Sequence, residues 1–420
     1  MSTTQAMDNP ETLPELDSAW VRAQFPAFSE PSLEGFAHFE NAGGSYACGA
    51  AVEQLNAFYR KTKVQPFYAF TPSRRAGAEM VRARARLARW LGVKESEVHF
   101  GPSTSQNSYV IAQALRETLK PGDEIIVTNQ DHEANIGVWR RLEQAGAVIR
   151  EWQVNPETAE LDLKGLEALL SQRTRVVAFT HCSNIVGSIH PVREWVDRIH
   201  EAGALAFVDG VSFAPHGLPD VGALGADLYL FSLYKVYGPH LGVMVLRDQL
   251  NQRLPNQGHF FNAARASARF TPAGPDHAQI AAVNGVLDYF GALHRHHFGA
   301  DPDEQAPVRV AALQRDREKA LLPELLDFLR SQSGVRIVGK QHAKGRAPTV
   351  SFTVQGRLSQ EVARQLGERD IGVGVGNCYA YRLIEALDID PDDGVVRVSF
   401  VHYTSRAEIQ RLMDTLDSLI

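Results

Sequence analysis

Between Glu124 and Leu246 the chain alternates short aliphatic, β-branched runs with amphipathic stretches, a rhythm that builds parallel strands joined by crossover helices. The runs Glu124–Thr128, Val148–Trp152, Val176–Thr180, Leu205–Val208, Leu228–Ser232 and Val243–Leu246 are read as strands. In PVREWVDRIHEAGA, Val192, Trp195, Val196 and Ile199 share one helical face, with Pro191 at the start and Gly203 at the end, so a covering helix is expected there. The fold class is therefore α/β, with a mainly parallel central sheet flanked by helices. After about Ala300 the pattern restarts with a charged helix at Val310–Ser331, strands at Val335–Val338 and Thr349–Val354, a helix at Gln360–Leu366 and a closing helix from Ala407. That order implies a smaller C-terminal α+β domain. The expected division is an N-terminal segment 1–35 associated with the small domain, a large domain 36–298 and a small domain 299–420. Pro255–Pro275 has no periodicity and suits loops reaching a neighbouring subunit.

Composition narrows the function. With 420 residues and a net charge of −6, the chain has room for two cores and carries no basic footprint for nucleic acid. It has no apolar run of 18 residues, and its opening stretch is polar and acidic, which argues against secretion and membrane insertion. Cys48, Cys182 and Cys378 are too scattered for a disulfide framework or a metal cluster, so a cytoplasmic setting is expected, with no metal. A small-molecule substrate fits best.

Open α/β sheets place ligands at strand ends. ALAFVDG leaves Asp209 just past one apolar run and DLYLFSLYKVYG leaves Lys235 just past the next. Alone, the first reads as a helix cap and the second as a solvated amine. Together they supply what pyridoxal 5'-phosphate requires, an amine to form an imine and an acid to keep the ring nitrogen protonated.

The blocks VDGVSFAPH and FSLYKVYGP resemble the Asp-containing strand and the Ser-x-x-Lys-x-x-Gly-Pro segment of fold-type I, class V aminotransferase-like enzymes, specifically the cysteine desulfurase and selenocysteine lyase branch. The resemblance runs from FENAGGSYACGAAV to VRVSFVHYTSRAEI. It implies pyridoxal phosphate as cofactor, Lys235 as the Schiff-base lysine, Asp209 on the pyridine nitrogen and Ser232 on the phosphate. It also implies that His132, in QDHEANIGVW, stacks on the cofactor ring and moves protons, and that Asn184, in THCSNIVGSIHPV, bonds the ring hydroxyl. Ser103, Thr104 and Ser105 open a helix and would cradle phosphate, although hydroxyls at helix starts are commonly caps alone. Ser212, Tyr234 and Gly274 complete the cofactor set. Arg397 resembles the arginine that grips an α-carboxylate, with Asn41 and Arg382 as further substrate-binding candidates. A surface ion pair with Asp390, Asp392 or Asp393 is the alternative for Arg397. A homodimer is implied, with a sulfur-acceptor protein as a further partner.

The departures fall on the reaction-specific positions. Ser212 stands where the family has Gln, Tyr234 where it has His, Ala273-Gly274 where it has Gly-Thr, and Gly374 where it has Arg. In GVGVGNCYAYRL, Cys378 falls one position early and Tyr379 takes the slot of the sulfur-accepting cysteine. Cys378 is either a nucleophile on a flexible loop, with Arg382 as neighbouring cation, or a small filler between a strand and a helix. Three functions follow: a sulfurtransferase or C–S lyase on cysteine or a derivative; an aminotransferase, epimerase or decarboxylase on another amino acid; or a scaffold without catalysis.

Overall fold

The computed structural model describes residues 13–420, so the first twelve residues of the N-terminal segment lie outside it. Twelve strands occur among the described residues: β1 (Ala37–Phe39), β2 (Val98–Gly101), β3 (Glu124–Thr128), β4 (Val148–Trp152), β5 (Thr174–Thr180), β6 (Leu205–Asp209), β7 (Leu228–Ser232), β8 (Gly242–Leu246), β9 (Val335–Val338), β10 (Thr349–Val354), β11 (Ile371–Gly376) and β12 (Val395–Ser399). They form a seven-stranded sheet ordered β2-β8-β7-β6-β5-β3-β4 and a five-stranded sheet ordered β1-β11-β12-β10-β9.

In the larger sheet β3 and β7 are buried at every position, as strands covered by helices on both faces must be. The chain from β3 to β7 runs parallel. β8 departs from the expected parallel arrangement and runs antiparallel to both β7 and β2. The connection 233–241 between β7 and β8 is too short for a crossover, which needs a dozen residues or more, so the chain turns back on itself. That turn carries Lys235. The expected covering helix is present as Val192–Glu201, burying Val192, Trp195, Val196 and Ile199.

In the second sheet, β9 and β10 match their expected bounds. β1 lies within the stretch assigned to the large domain, yet it pairs parallel with β11 of the second sheet, Phe39 opposite Val373. Helices Ala306–Ser331, Ser359–Gly367 and Arg406–Asp417 cover this sheet through Leu321, Leu325, Val362, Leu366, Ile409 and Leu412. The last helix opens with a reciprocal cap between Ser405 and Glu408, and Glu408 also accepts from Arg22 at 2.8 Å, tying the N-terminal helix Ser18–Ala23 to the closing one. No helix among the described residues is long and apolar enough to cross a membrane.

Candidate active site

The site gathers where β6 and β7 end beside the start of helix Thr104–Arg116. One cleft is lined by Thr104, Ser105, His132, Thr180, Asn184, Asp209, Ser212, Ser232, Tyr234 and Lys235. Nine of the residues expected from sequence therefore converge, drawn from five separate segments. Neighbouring parallel strands end side by side, and so do the loops that follow them.

Lys235 is 6% exposed, and burial pulls its amine down to about 8, with the charge of Arg397 adding to the effect against the opposing influence of Asp209 and Glu40. A buried amine in this range is partly neutral near physiological pH, the state in which it is a nucleophile. Burial pushes the Asp209 carboxyl up to about 6, although its Oδ1 accepts from the Val211 N–H at 2.8 Å and Lys235 favours its ionised form. Burial also pulls the His132 imidazole down to about 4, reinforced by Lys235 and Arg397. His132 is thus a neutral ring whose Nδ1 accepts from the Ala134 N–H at 3.1 Å.

The helix start presents donors suited to an anion. The Thr104 and Ser232 hydroxyls lie 2.6 Å apart, and the first-turn N–H groups have no partner within their own helix. Ser103 is the N-cap, its hydroxyl accepting from Gln106 N at 3.2 Å, and it lines a separate groove. Gly274 lines that groove too, away from Lys235 within the same chain. The donor set that remains fits pyridoxal phosphate: a buried amine, a buried carboxylate, a flat neutral imidazole, and hydroxyls with helix N–H groups where a phosphate would sit.

The second sheet closes the site. On β12, Arg397 lies opposite Ser351 and Gly374 and is 4% exposed. Its Nη1 donates to the Asn184 carbonyl at 3.1 Å and its Nη2 to Glu40. The alternative pairing with Asp390, Asp392 or Asp393 does not occur; Asp393 instead accepts from Ser359 N at the start of a helix. Asn41, expected on the substrate side, lines a small pocket with Ser212 and Lys235. Its amide is taken up internally, Nδ2 donating to His38 and Ser399 carbonyls and Oδ1 accepting from the Tyr403 hydroxyl, with 2% exposure.

Cys378 and Tyr379 both sit at positive φ, +46° and +61°, a strained conformation held by surrounding contacts. Asn184 Nδ2 donates to the Cys378 carbonyl at 2.9 Å, and Glu133 N donates to the Tyr379 carbonyl at 2.7 Å. The Tyr379 ring lies 5.1 Å from that of His132. The loop is thereby clamped to the two segments bearing His132 and Asn184. Burial pushes the Cys378 thiol above its ordinary value, only partly countered by Arg397. Arg382 faces Glu133, 3.5 Å away, and the cations acting on the Cys378 thiol are Arg397 and Lys235.

Three contributors were not singled out from the sequence. Thr180 lines the cleft from the end of β5. Asp131 is fully buried, pushed up to about 8 by burial, and anchors the His132 turn by accepting from Thr128 and, at 2.6 Å, from Asn135. Glu40, in HFENAGG, meets Arg397 across 357 residues of chain. Its place next to Asn41 was the one available signal.

Comparisons with known proteins agree with this geometry. The family described as aminotransferase class-V matches residues 37–300 and 308–412. An aminotransferase-like protein of Gibberella zeae is 35% identical over 95% of this chain and 98% of its own length. A probable cysteine desulfurase of Pseudomonas aeruginosa is 31% identical over 96% and 98%. Among solved structures, a cysteine desulfurase of Escherichia coli has a TM-score of 0.80 at 25% identity, covering 96% of this chain and 98% of that one.

Proposed function

Because the chain belongs to the aminotransferase class-V family, whose members are pyridoxal-phosphate enzymes, we propose that it cleaves the C–S bond of cysteine or a cysteine derivative by elimination, without loading sulfur onto its own cysteine. The observation that carries this reading is the pairing of a lysine–aspartate–arginine set with a half-buried Cys378 whose loop is clamped to Asn184 and Glu133, desolvation also raising its thiol above the ordinary value. Persulfide formation requires a thiolate that can reach the substrate sulfur.

When bound, pyridoxal phosphate withdraws electrons from the substrate's α-carbon and so acidifies its C–H bond. Lys235 would hold the cofactor and move the substrate's α-proton; an amine brought down to about 8 both accepts and returns a proton near neutral pH. Asp209 would hold a proton at the ring nitrogen. His132 would lie on the ring as a neutral imidazole, and Thr104, Ser105 and Ser232 would hold the phosphate. Arg397 orients the substrate carboxylate, fixed in aim by the Asn184 carbonyl. Ser212 and Tyr234 border Lys235 and shape the space around it.

The working unit is proposed to be a homodimer in a reducing, cytoplasmic compartment. Support comes from the three free cysteines and from Phe260 and Phe261, which are 87% and 66% exposed on the aperiodic 255–275 segment. Gly274 lies on that segment, and its proposed phosphate contact is made to the partner subunit through backbone N–H. A sulfur-acceptor protein has no place in the elimination route.

The test is product analysis with cysteine and with a cysteine S-conjugate. Elimination yields pyruvate, ammonia and the free thiol or sulfide at equal rates from wild type and Cys378→Ser. Alanine formed together with a persulfide on Cys378 would overturn the elimination route, and transfer of the amino group to an α-keto acid would favour the aminotransferase reading.

A further inference from the structure

The Arg397 guanidinium is a fork, and only part of it is in use. Nη1 holds the Asn184 carbonyl and Nη2 holds one oxygen of Glu40, while the buried Nε has no hydrogen-bond partner among the described residues. An orphaned donor on a group this well buried marks an edge built to receive an acceptor. The Nε–Nη2 edge matches a planar carboxylate that takes both N–H groups at once. Space for it is kept by missing side chains. A Cβ at Gly374 would lie 3.0 Å from Arg397 Nε and 3.1 Å from Glu40 Oε1, and one at Gly43 would overlap the Glu40 carboxylate.

The two partners differ in freedom. The Arg397 side chain is 5% exposed and anchored to Asn184, whereas that of Glu40 is 33% exposed and has room to turn toward solvent. From this we infer that Glu40 is a resident counter-ion which an incoming substrate carboxylate displaces from Arg397, a specificity device that admits free α-carboxylates able to take both Nε and Nη2. The guanidinium is never left buried and uncompensated, the destabilising state that loss of one partner of a buried pair creates. The exchange of one carboxylate for another keeps the local charge constant, at the expense of weaker substrate binding. Neutral carboxamides and esters cannot make the exchange and are excluded.

This inference rests on the reading of Arg397 as the carboxylate grip. Its test uses the holoenzyme and 3-mercaptopropionate, which carries a carboxylate and a thiol but no amine to react with the cofactor. Its amide, 3-mercaptopropionamide, serves as control, with binding measured by titration calorimetry. Glu40→Gln is expected to bind the carboxylate about tenfold more tightly, the effect of removing one competing ion pair, with no change toward the amide. Glu40→Asp keeps the charge on a shorter arm and is expected to tighten binding by roughly threefold, which preserves the test if the Gln variant folds poorly. Arg397→Gln should abolish the preference for carboxylate over amide. Unchanged or weakened carboxylate binding in both Glu40 variants, with that preference still lost in Arg397→Gln, would overturn the counter-ion role and leave the Arg397 reading intact. Retention of the preference in Arg397→Gln would overturn both.

Discussion

Lys235→Met, examined in the cofactor-free protein, tests whether the site stores instability in its buried amine. Burial brings that amine from 10.5 down to about 8, which corresponds to roughly 3 kcal/mol of cost for keeping it charged inside. Below pH 8 the amine is protonated in both folded and unfolded chains, and the whole cost stands. Between pH 8 and 10.5 the folded amine is neutral while the unfolded one still binds a proton, so stability rises with pH through that window and the cost fades. Methionine fills much the same volume without charge. Removing Lys235 also takes away a group that favours the ionised form of Asp209, which offsets about 1 kcal/mol of the gain. Lys235→Met is therefore expected to be about 2 kcal/mol more stable than wild type at pH 7, with little of that advantage left at pH 10. Urea unfolding followed by tryptophan fluorescence at the two pH values measures it. An advantage of equal size at both, or a variant less stable than wild type at pH 7, would refute the reasoning.

The purified protein should be yellow, and borohydride should fix the cofactor on Lys235; a reducible linkage surviving in Lys235→Ala, read by peptide mass, would disprove the assignment. Asp209→Ala should retain cofactor in its absorbance spectrum yet turn over cysteine-type substrates about a hundredfold more slowly, because the ring nitrogen loses its acid. Gly210→Ala should lower the unfolding midpoint by the equivalent of about 1–3 kcal/mol. A Cβ there would overlap the buried Tyr229 hydroxyl, which bonds His181 at 2.9 Å, and an unchanged midpoint would show that this packing is looser than the geometry implies. Acid should destabilise the chain well before its exposed carboxylates titrate, because five lowered histidines outweigh Asp131 and Asp209, whose carboxyls, raised to about 8 and about 6, protonate first in the folded state and offset part of the loss. His132 is brought to about 4 and His99, His181, His190 and His402 to about 3 by burial, so the unfolded chain binds more protons as pH falls from 6.5 and stability drops through that window. A flat stability profile between pH 6.5 and 4.5 in a series of denaturant titrations would contradict this.

What the sequence determined by itself was the periodic part of the fold and the cofactor half of the site. β3, β4, β7, β9 and β10 fall on their expected bounds because their β-branched, aliphatic and aromatic content is concentrated within four to six residues and so is set locally. Asp209, Ser232 and Lys235 are legible for the same reason, since each follows directly from the end of a strand and the residue types name the chemistry. β1 and β2 carry no such signal: three or four residues long, they become strands through the partners they find in β11 and β8. Only the tertiary structure decided the withdrawal of Asn41 into a buried bond network and the pairing of Arg397 with Glu40 in place of its neighbours in sequence. Each of these depends on which groups lie within hydrogen-bond reach after the two sheets have come together. Distances of that kind arise between segments hundreds of residues apart, and local residue pattern does not encode them.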